Sequence, residues 1–169
     1  LFIHGNPLPG QIDKAFESLH NYNYFEAKKL FEKSLKKYPV ISGFGLSLIH
    51  SRSDNPFHDL DVAYSRINTS ITLFNEVSKR EESKLKFYRI SIDSLNRVKT
   101  AIEYQAFQKA RTADDISSLK HFTAVYTASD FVKDAERSID SLAFIIALKE
   151  NSSEGYQKYI NENPDSHLL

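Results

Sequence analysis

The 169-residue chain contains no cysteine, no methionine and no tryptophan, and it has only 5 glycines and 5 prolines. The absence of cysteine excludes a disulfide scaffold, a cysteine-ligated metal centre and a cysteine nucleophile. The 22 basic side chains are balanced by 22 acidic ones. The chain therefore lacks the surplus of positive charge that typifies proteins binding nucleic-acid phosphates. Few glycines and prolines also argue against a turn-rich β-sandwich.

A long apolar run is missing as well. No stretch of about 18 apolar residues is present, so the sequence predicts no membrane-spanning helix. Residues 1–3 are apolar and residues 5–10 are rich in turn-forming residues. Residues 1–10 are therefore predicted to be a leader, for which two interpretations stay open: the end of a secretory signal peptide, or the disordered start of a cytoplasmic protein. A periplasmic or secreted location is favoured over a cytoplasmic one.

The absence of methionine means that no initiator residue is present, and residues 166–169 have the pattern of a helix start. We therefore expect the sequence to be a piece of a longer protein. Residues 11–169 are predicted to form a single helical-repeat domain that is truncated at its C-terminus.

Apolar side chains recur at helical spacing along nearly the whole chain after Gly10. Beyond Asp130, for example, they fall three or four residues apart at positions 131, 135, 139, 142 and 146, which places them in one stripe along a helix. No stretch alternates with the period of a strand. The pattern predicts an all-α fold in which consecutive helices pack antiparallel, with helices over 11–21, 24–37, 41–52, 58–75, 78–88, 92–111, 115–126, 130–149 and 153–162.

Several residues have the chemistry of helix boundaries. Pro39 and Pro164 are predicted to end helices, because proline lacks the amide donor that a helix interior requires. Short polar side chains can accept hydrogen bonds from the free amides of a helix N-terminus. The predicted caps are Asp114 or Asp115, Ser129, and Asn151 in a capping box with Glu154.

The second half of the chain matches itself at a shift of 37 residues. Ile102, Ala106, Phe107 and Ala110 fall on Ile139, Ala143, Phe144 and Ala147, and Ser129 falls on Ser166. A period in this range is typical of stacked helical hairpins.

The first half carries a second pattern, in which Ala15, Ala27, Phe31, Ser34 and Pro39 are spaced by 12, 4, 3 and 5 residues. This pattern resembles the tetratricopeptide repeat, where a small residue on the first helix precedes an alanine, an aromatic residue, a small residue and a proline. The next hairpin, residues 43–64, is similar to a following unit with an insertion at 53–56, as in the Sel1-like variant. The resemblance is clearest over residues 11–75.

This resemblance implies an α-solenoid, a right-handed superhelix of helix pairs whose first helices line a concave surface. It also implies partner binding on that surface and no catalysis. One sub-type of the family holds a peptide's terminal carboxylate with Lys and Asn on the first helices. The matching positions are Ile12 and Phe16, so no such clamp is predicted.

Among the six histidines, the best candidate cluster surrounds the Asn55-Pro56 turn and comprises His50, Arg52, Asp54, His58, Asp59 and Asp61. Two imidazoles and several carboxylates are suited to a divalent metal or to a small hydrolase, and the same group would suit a partner contact. The simplest interpretation is a polar loop in which Asp59 or Asp61 caps a helix.

Glycines and aromatic residues have structural interpretations. Gly43 and Gly45 lack the continuation of a phosphate-binding loop, so they are predicted to permit close helix packing. The 9 Tyr and 12 Phe are predicted mainly to fill the core, with the remainder contacting a partner. They include a group that is clustered in sequence: Tyr22, Tyr24, Phe25, Tyr38 and Phe44.

The leading hypothesis is a non-enzymatic protein–protein interaction scaffold that binds a protein or peptide on its concave face. No catalytic residue, metal ligand, cofactor or nucleic-acid partner is predicted. The alternative is a helical accessory domain of a larger envelope or regulatory enzyme, which the remainder of the open reading frame would reveal. The candidate binding residues are Tyr22, His50, Arg52 and His58.

Overall fold

A computed structural model describes residues 10–166 and residue 168, and in this part of the chain it contains helices and no strand. The predicted all-α class is therefore confirmed. The predicted leader lies outside the described residues except for Gly10. The helices are α1 Gln11–His20, α2 Tyr24–Ser34, α3 Pro39–Ser51, α4 Leu60–Leu73, α5 Lys79–Phe87, α6 Ile92–Thr112, α7 Ile116–Val125, α8 Val132–Glu150 and α9 Ser153–Glu162, with a 3-10 helix at Phe74–Glu76 after α4.

The contacts divide the chain into two compact units, Leu1–Ile102 and Glu103–Leu169. The described part of the first unit contains α1 to α5 and the start of α6, and the second contains the rest of α6 and α7 to α9. Within each unit, contacts join mainly consecutive helices, such as α1 with α2 and α8 with α9. This arrangement is consistent with stacked hairpins.

Side-chain caps begin many of the helices. In each of five caps, a side-chain oxygen accepts a hydrogen bond of 2.7–3.2 Å from the backbone amide three residues later. A cap of this kind stabilises a helix by about 1 kcal/mol, which explains why short connections suffice between the helices. The five residues are Asn23, Asp59, Ser78, Asp115 and Ser152.

The prediction that Pro39 ends the second helix is wrong. α2 already ends at Ser34, whose carbonyl accepts hydrogen bonds from the amides of Lys37 and Tyr38 (2.9 and 2.8 Å). Pro39 is instead the first residue of α3. Proline suits this position because the first amide of a helix has no partner within the helix and the fixed φ of proline is helical.

The predicted cap at Asn151 is also wrong, because the neighbouring Ser152 caps α9. Asn151 ends α8 instead: its φ is 47°, and its amide bonds to the carbonyl of Ala147 at 3.0 Å. Asparagine tolerates this left-handed conformation better than most residues. The side chain of Ser129 accepts a hydrogen bond from the amide of Phe131 (3.3 Å) in the turn before α8. The helix itself begins at the next residue, Val132.

The central helix of the first unit is α3, which contacts α1, α2, α4 and α5. Its sequence is apolar or small on nearly every side, which is typical of a helix surrounded by protein. Val40, Ile41 and Ile49 have no solvent exposure. The other helices of this unit therefore depend on α3 for much of the apolar surface that they bury.

Two glycines of α3 permit close contact with its neighbours, as the sequence predicted. A Cβ atom at Gly43 would lie 2.3 Å from Ser70 Oγ on α4, and one at Gly45 would lie 2.3 Å from Phe31 Cζ on α2. Phe31 is fully buried, so its ring has little room to withdraw. Any larger residue at position 45 would force α2 and α3 apart.

A buried carboxylate joins α5 to the start of α3. Glu81 is 1% exposed and accepts hydrogen bonds from the backbone amides of Val40 (2.8 Å) and Ile41 (3.0 Å). First-turn amides have no acceptor within their own helix, so Glu81 satisfies groups that would otherwise be buried and unpaired. Burial raises the pKa of the Glu81 carboxyl, although the two amide hydrogen bonds act in the opposite direction.

A second polar contact joins α5 to α1. The Asp13 carboxylate accepts hydrogen bonds from Lys84 Nζ (2.9 Å), from the phenol of Tyr88 and from the amide of Gly10 (2.7 Å). Burial alone would raise the pKa of Asp13, but the hydrogen bonds from Tyr88 and Lys84 outweigh it, and the net effect lowers that pKa. Asp13 is therefore ionised at neutral pH and holds α5 in register with α1.

The second unit shows the 37-residue shift in its structure. The bounds of α7 and α9 differ by 37 residues at both ends. The rings of Phe107 and Phe122 lie 5.6 Å apart at 52°, and those of Phe144 and Tyr159, at the shifted positions, lie 5.4 Å apart at 53°. The length of the second helix and the ring packing thus recur in two successive helix pairs.

We expect Gly45→Ala to reduce the free energy of unfolding by about 1–2 kcal/mol. Overpacking against Phe31 costs about 1–3 kcal/mol, which exceeds the gain of about 0.5–1 kcal/mol from replacing a helical glycine. Urea denaturation followed by circular dichroism measures the change.

Phe31→Leu should partly rescue the Gly45→Ala variant, because the smaller side chain makes room for the new methyl group, and the double-mutant cycle should show this coupling. Gly155→Ala is the control, since its Cβ would meet the end of the flexible Glu150 side chain (2.9 Å) and the Ser152 hydroxyl (3.1 Å) and no buried ring. A stabilising effect of Gly45→Ala would contradict the close contact between α2 and α3.

We expect Glu81→Ala to destabilise the protein by about 1–3 kcal/mol, because two buried amides lose their acceptor. Glu81→Gln keeps an acceptor oxygen and should be tolerated.

Since the folded-state pKa of Glu81 is raised, the folded state binds the proton more tightly, and stability declines as pH rises through that pKa. The stability of Glu81→Gln relative to the natural protein should therefore increase with pH, and a constant difference from mildly acidic to neutral pH would contradict this.

Candidate functional site

The four candidate binding residues lie at the ends of two neighbouring hairpins in the first unit. Tyr22 is in the turn between α1 and α2, His50 is in the last turn of α3, and Arg52 and His58 are in the connection from α3 to α4. The structure brings Tyr22 and Arg52 together, with the guanidinium carbon 5.9 Å from the ring centroid. The two histidines lie apart from this contact: His50 Nδ1 is 2.6 Å from the carbonyl oxygen of Phe57, and His58 Nδ1 is buried.

The turn that carries Tyr22 is held in an unfavourable backbone conformation. The φ of Tyr22 is 57°, a region that costs a residue with a side chain about 1–2 kcal/mol. The amides of Tyr22 and Asn23 close the turn by bonding to the carbonyls of Leu19 (3.2 Å) and Ser18 (2.8 Å). The turn leaves the Tyr22 ring 68% exposed. A large aromatic residue in a left-handed, exposed position is an outlier that suggests a functional role.

Arg52 contacts two tyrosines. Its guanidinium carbon lies 5.9 Å from the ring centroid of Tyr24 as well as that of Tyr22, within the range of a cation–π interaction. One guanidinium nitrogen also donates a long hydrogen bond of 3.5 Å to the Tyr24 hydroxyl. Across the described residues, Arg52 forms no ion pair with a carboxylate. Its guanidinium is therefore held beside two rings, and no carboxylate of the described residues is paired with it directly.

The hydroxyl group of the buried residue Tyr24 holds the loop after α3 in place. It donates to both carboxylate oxygens of Asp54, at 2.7 and 2.8 Å. Burial, followed by the hydrogen bond to Asp54, raises the pKa of the Tyr24 phenol. Tyr24 is therefore protonated at neutral pH and remains a donor to Asp54, which keeps the connection after α3 close to the start of α2.

Asn55 organises the connection itself. Its side-chain amide donates to the carbonyls of Arg52 (2.7 Å) and Ile49 (3.0 Å), and its side-chain oxygen accepts from the amide of Phe57 (2.9 Å). His50 Nδ1 contributes a further contact of 2.6 Å with the carbonyl oxygen of Phe57. These bonds close the segment 52–57 into a fixed loop in which the backbone positions of Arg52 and Phe57 are set.

A second aromatic pair lies beside the first. Phe25, which is 68% exposed, meets the ring of Phe57 edge-on at 4.8 Å, and Lys28 Nζ lies 5.3 Å from the Phe57 centroid. Tyr22 and Tyr24 also meet edge-on, at 6.2 Å. We call this group of four rings and one guanidinium the aromatic ledge; it consists of Tyr22, Tyr24, Phe25, Phe57 and Arg52.

The histidines do not have the surroundings of a hydrolase or a metal centre. His58 Nδ1 is buried and has no hydrogen-bond partner in the described part of the chain, and His50 Nδ1 faces a backbone carbonyl. Neither imidazole is hydrogen-bonded to a serine or a carboxylate there. The described residues also contain no group of three or more His, Asp or Glu side chains placed to hold a metal ion. Asp59 has the predicted alternative role, the N-cap of α4.

The second unit has one compact polar cluster of its own. The Tyr159 hydroxyl, the Asp140 carboxylate and the Ser166 hydroxyl are joined in a ring of hydrogen bonds of 2.5–2.7 Å. Burial, followed by the hydrogen bond to Asp140, raises the pKa of the Tyr159 phenol. The ring ties the turn after α9 to α8, which is a structural role.

Sequence reasoning did not single out Phe57 or Lys28 as part of this site. Phe57 follows Asn55-Pro56 directly, and an aromatic residue straight after a tight turn was the available signal.

No protein-family model, curated protein or solved structure matches this chain. None of the described helices is long and apolar enough to cross a lipid bilayer.

We expect Asn55→Ala to disorganise the loop, because two carbonyls and one amide lose a part-buried partner. The cost should be about 1–3 kcal/mol in the free energy of unfolding. Amide hydrogen exchange measured by NMR should show the Phe57 amide protected in the natural protein and unprotected in the variant.

Asn55→Asp separates the contributions of the two ends of the side chain. It keeps the oxygen that accepts from the Phe57 amide but removes the donors to Arg52 and Ile49. The Phe57 amide should therefore remain protected, while the protein still loses stability. Equal loss of protection in both variants would show that the loop is not organised in this way.

Proposed function

We propose that this protein is a non-enzymatic protein–protein interaction scaffold built of tetratricopeptide-like helical hairpins. The observation that carries the proposal is the aromatic ledge, where Tyr22 and Phe25 are each 68% exposed although the ring of Tyr24, which meets that of Tyr22, is buried. Exposed aromatic side chains next to an arginine are typical of the energetic centre of a protein interface. Tyr22 lies in a hydrogen-bonded turn and Phe25 in the first turn of α2, so little ordering is required on binding.

The packing of the first two helices supports the tetratricopeptide-like part of the proposal. Ala15 on α1 and Ala27, Phe31 and Ser34 on α2 are all buried, as expected for residues that carry the resemblance by holding two helices together. α1 packs on α2, and α2 packs on α3. The hairpin at α3 and α4 follows, with the predicted insertion forming the loop that contains Arg52.

Two surfaces are candidates for the partner. The family resemblance favours a concave face lined by the first helices of the hairpins, on which the partner would lie. The aromatic ledge lies instead at the turn between α1 and α2 and at the loop between α3 and α4. The contacts of the described residues favour the ledge as the region where the partner makes its strongest contact.

Site-specific photo-crosslinking in the native cell tests this proposal. With the photoreactive residue p-benzoylphenylalanine in place of Phe25, we expect a discrete crosslinked product that contains one other protein. Phe87 is the matched control, because it is an exposed phenylalanine (75%) on α5, outside the ledge.

The same residue at Lys14 or Glu17, which are exposed on α1, examines the first-helix surface. A product at position 14 or 17 without one at position 25 would place the partner on the first helices. The absence of any product at positions 14, 17 and 25 would contradict the scaffold function.

A further inference from the structure

We propose that the partner segment bound at the aromatic ledge is an acidic peptide in extended conformation, which places one apolar side chain on the Phe25–Phe57 pair and carboxylates along the outer face of α2. This inference rests on the proposed function. It goes beyond it by naming the chemistry of the partner and the spacing of its residues.

α2 and the turn after it contain more lysines than glutamates, which favours an acidic partner. Residues 24–38 contain five lysines and two glutamates, a net charge of +3, in a chain whose total is zero. Lys28 is paired with Glu32 (2.5 Å) and Lys29 with Glu26 (3.4 Å). Lys33 and Lys36 form no ion pair within the described structure. α2 itself has three lysines and two glutamates, a net charge of +1, and Lys36 and Lys37 in the turn after it bring the local excess to +3.

The order of exposed side chains along α2 matches the spacing of residues in an extended peptide. Phe25, Lys29 and Lys33 are all exposed and are four residues apart, so they lie in one line along the surface of α2. With a rise of about 1.5 Å per residue, Lys29 and Lys33 lie about 6 and 12 Å from Phe25 along the axis. An extended chain advances about 3.3 Å per residue. Carboxylates two and four residues from an apolar anchor would therefore meet the two lysines.

The ledge supplies the anchor and an additional anion contact. The exposed edge of Phe25 and the ring of Phe57 form an apolar surface that suits one large side chain. Arg52, which has no carboxylate partner of its own, lies between the neighbouring tyrosine rings. A carboxylate beside the anchor can pair with it without breaking an existing ion pair.

The same surface suits a peptide better than a nucleic acid or a membrane. Glu26 and Glu32 lie among the lysines of α2, and Asp54 lies beside Arg52. Both signs of charge therefore alternate along this surface, whereas a nucleic acid presents a continuous line of negative phosphates. Two rings of the ledge, Tyr22 and Phe25, are strongly exposed, and two rings alone offer little apolar surface for insertion into a lipid bilayer. A peptide can alternate its charges and apolar groups to match.

Synthetic peptides with one tryptophan test the proposal on the purified protein. The chain contains no tryptophan, so the fluorescence of the peptide reports binding directly. The acidic peptides carry Glu two and four residues after the Trp, or before it to allow either chain direction. Matched peptides carry Gln or Lys at the same positions. We expect one of the Glu peptides to bind about tenfold more tightly than its Gln counterpart, since two exposed ion pairs together supply that difference.

Variants assign the contacts. Lys29→Gln with Lys33→Gln should remove the preference for Glu over Gln, and Arg52→Gln should reduce it. Phe25→Ser should weaken both peptides equally. Lys149→Gln with Lys158→Gln, a matched loss of two exposed charges in the second unit, and Phe87→Ser should change nothing. Added salt should weaken the Glu peptide more than the Gln peptide.

Equal affinity for the Glu and Gln peptides would overturn the inference, as would a preference that survives the loss of both lysines. Tighter binding of single-stranded RNA or of vesicles with anionic lipid through the same residues would also overturn it. If photo-crosslinking at position 25 gives a partner and the Glu peptides show no preference, the scaffold function stands and the acidic-peptide inference fails.

Discussion

The contact between Gly45 and Phe31 is the constraint on which the first unit depends. The ring of Phe31 occupies the space that a side chain at position 45 would fill, which allows α2 to lie close against α3. α3 in turn contacts α1, α4 and α5, so its position determines theirs. The position of the aromatic ledge depends on the same contact, because Tyr24 and Phe25 start α2 while Arg52 and Phe57 follow α3.

The helices were predictable from sequence because apolar periodicity and short polar caps act locally. Asp59 and Asp115 cap helices and α9 ends before Pro164, as predicted. Pro39 and Asn151 show where local chemistry is ambiguous. A proline suits the position after one helix and the first position of the next, and adjacent Asn151 and Ser152 are both competent caps. Whether a residue ends one helix or begins another depends on the geometry of the turn, which its own identity does not specify.

The candidate site was predictable only in part. The polar segment around Asn55-Pro56 drew attention to the loop after α3, and the structure places two of the four candidate residues, Tyr22 and Arg52, beside each other. The role of His50 as a partner for a backbone carbonyl could not be inferred, because it depends on how the loop folds back. Phe57 joins Phe25 through a tertiary contact between residues 32 positions apart, and no spacing rule relates such residues. The buried acceptor Glu81 was missed for the same reason, since its amide partners lie 40 residues away on α3.

The recurrence of helix bounds and ring packing in the second unit has an evolutionary consequence. The helix pairs at α6–α7 and α8–α9 each contain their own ring pair, and α7 and α9 each have their own cap, at Asp115 and Ser152. The turns after them both use a serine, Ser129 and Ser166, that accepts an amide two residues later. Duplication or loss of one 37-residue segment would therefore preserve the joints at both ends.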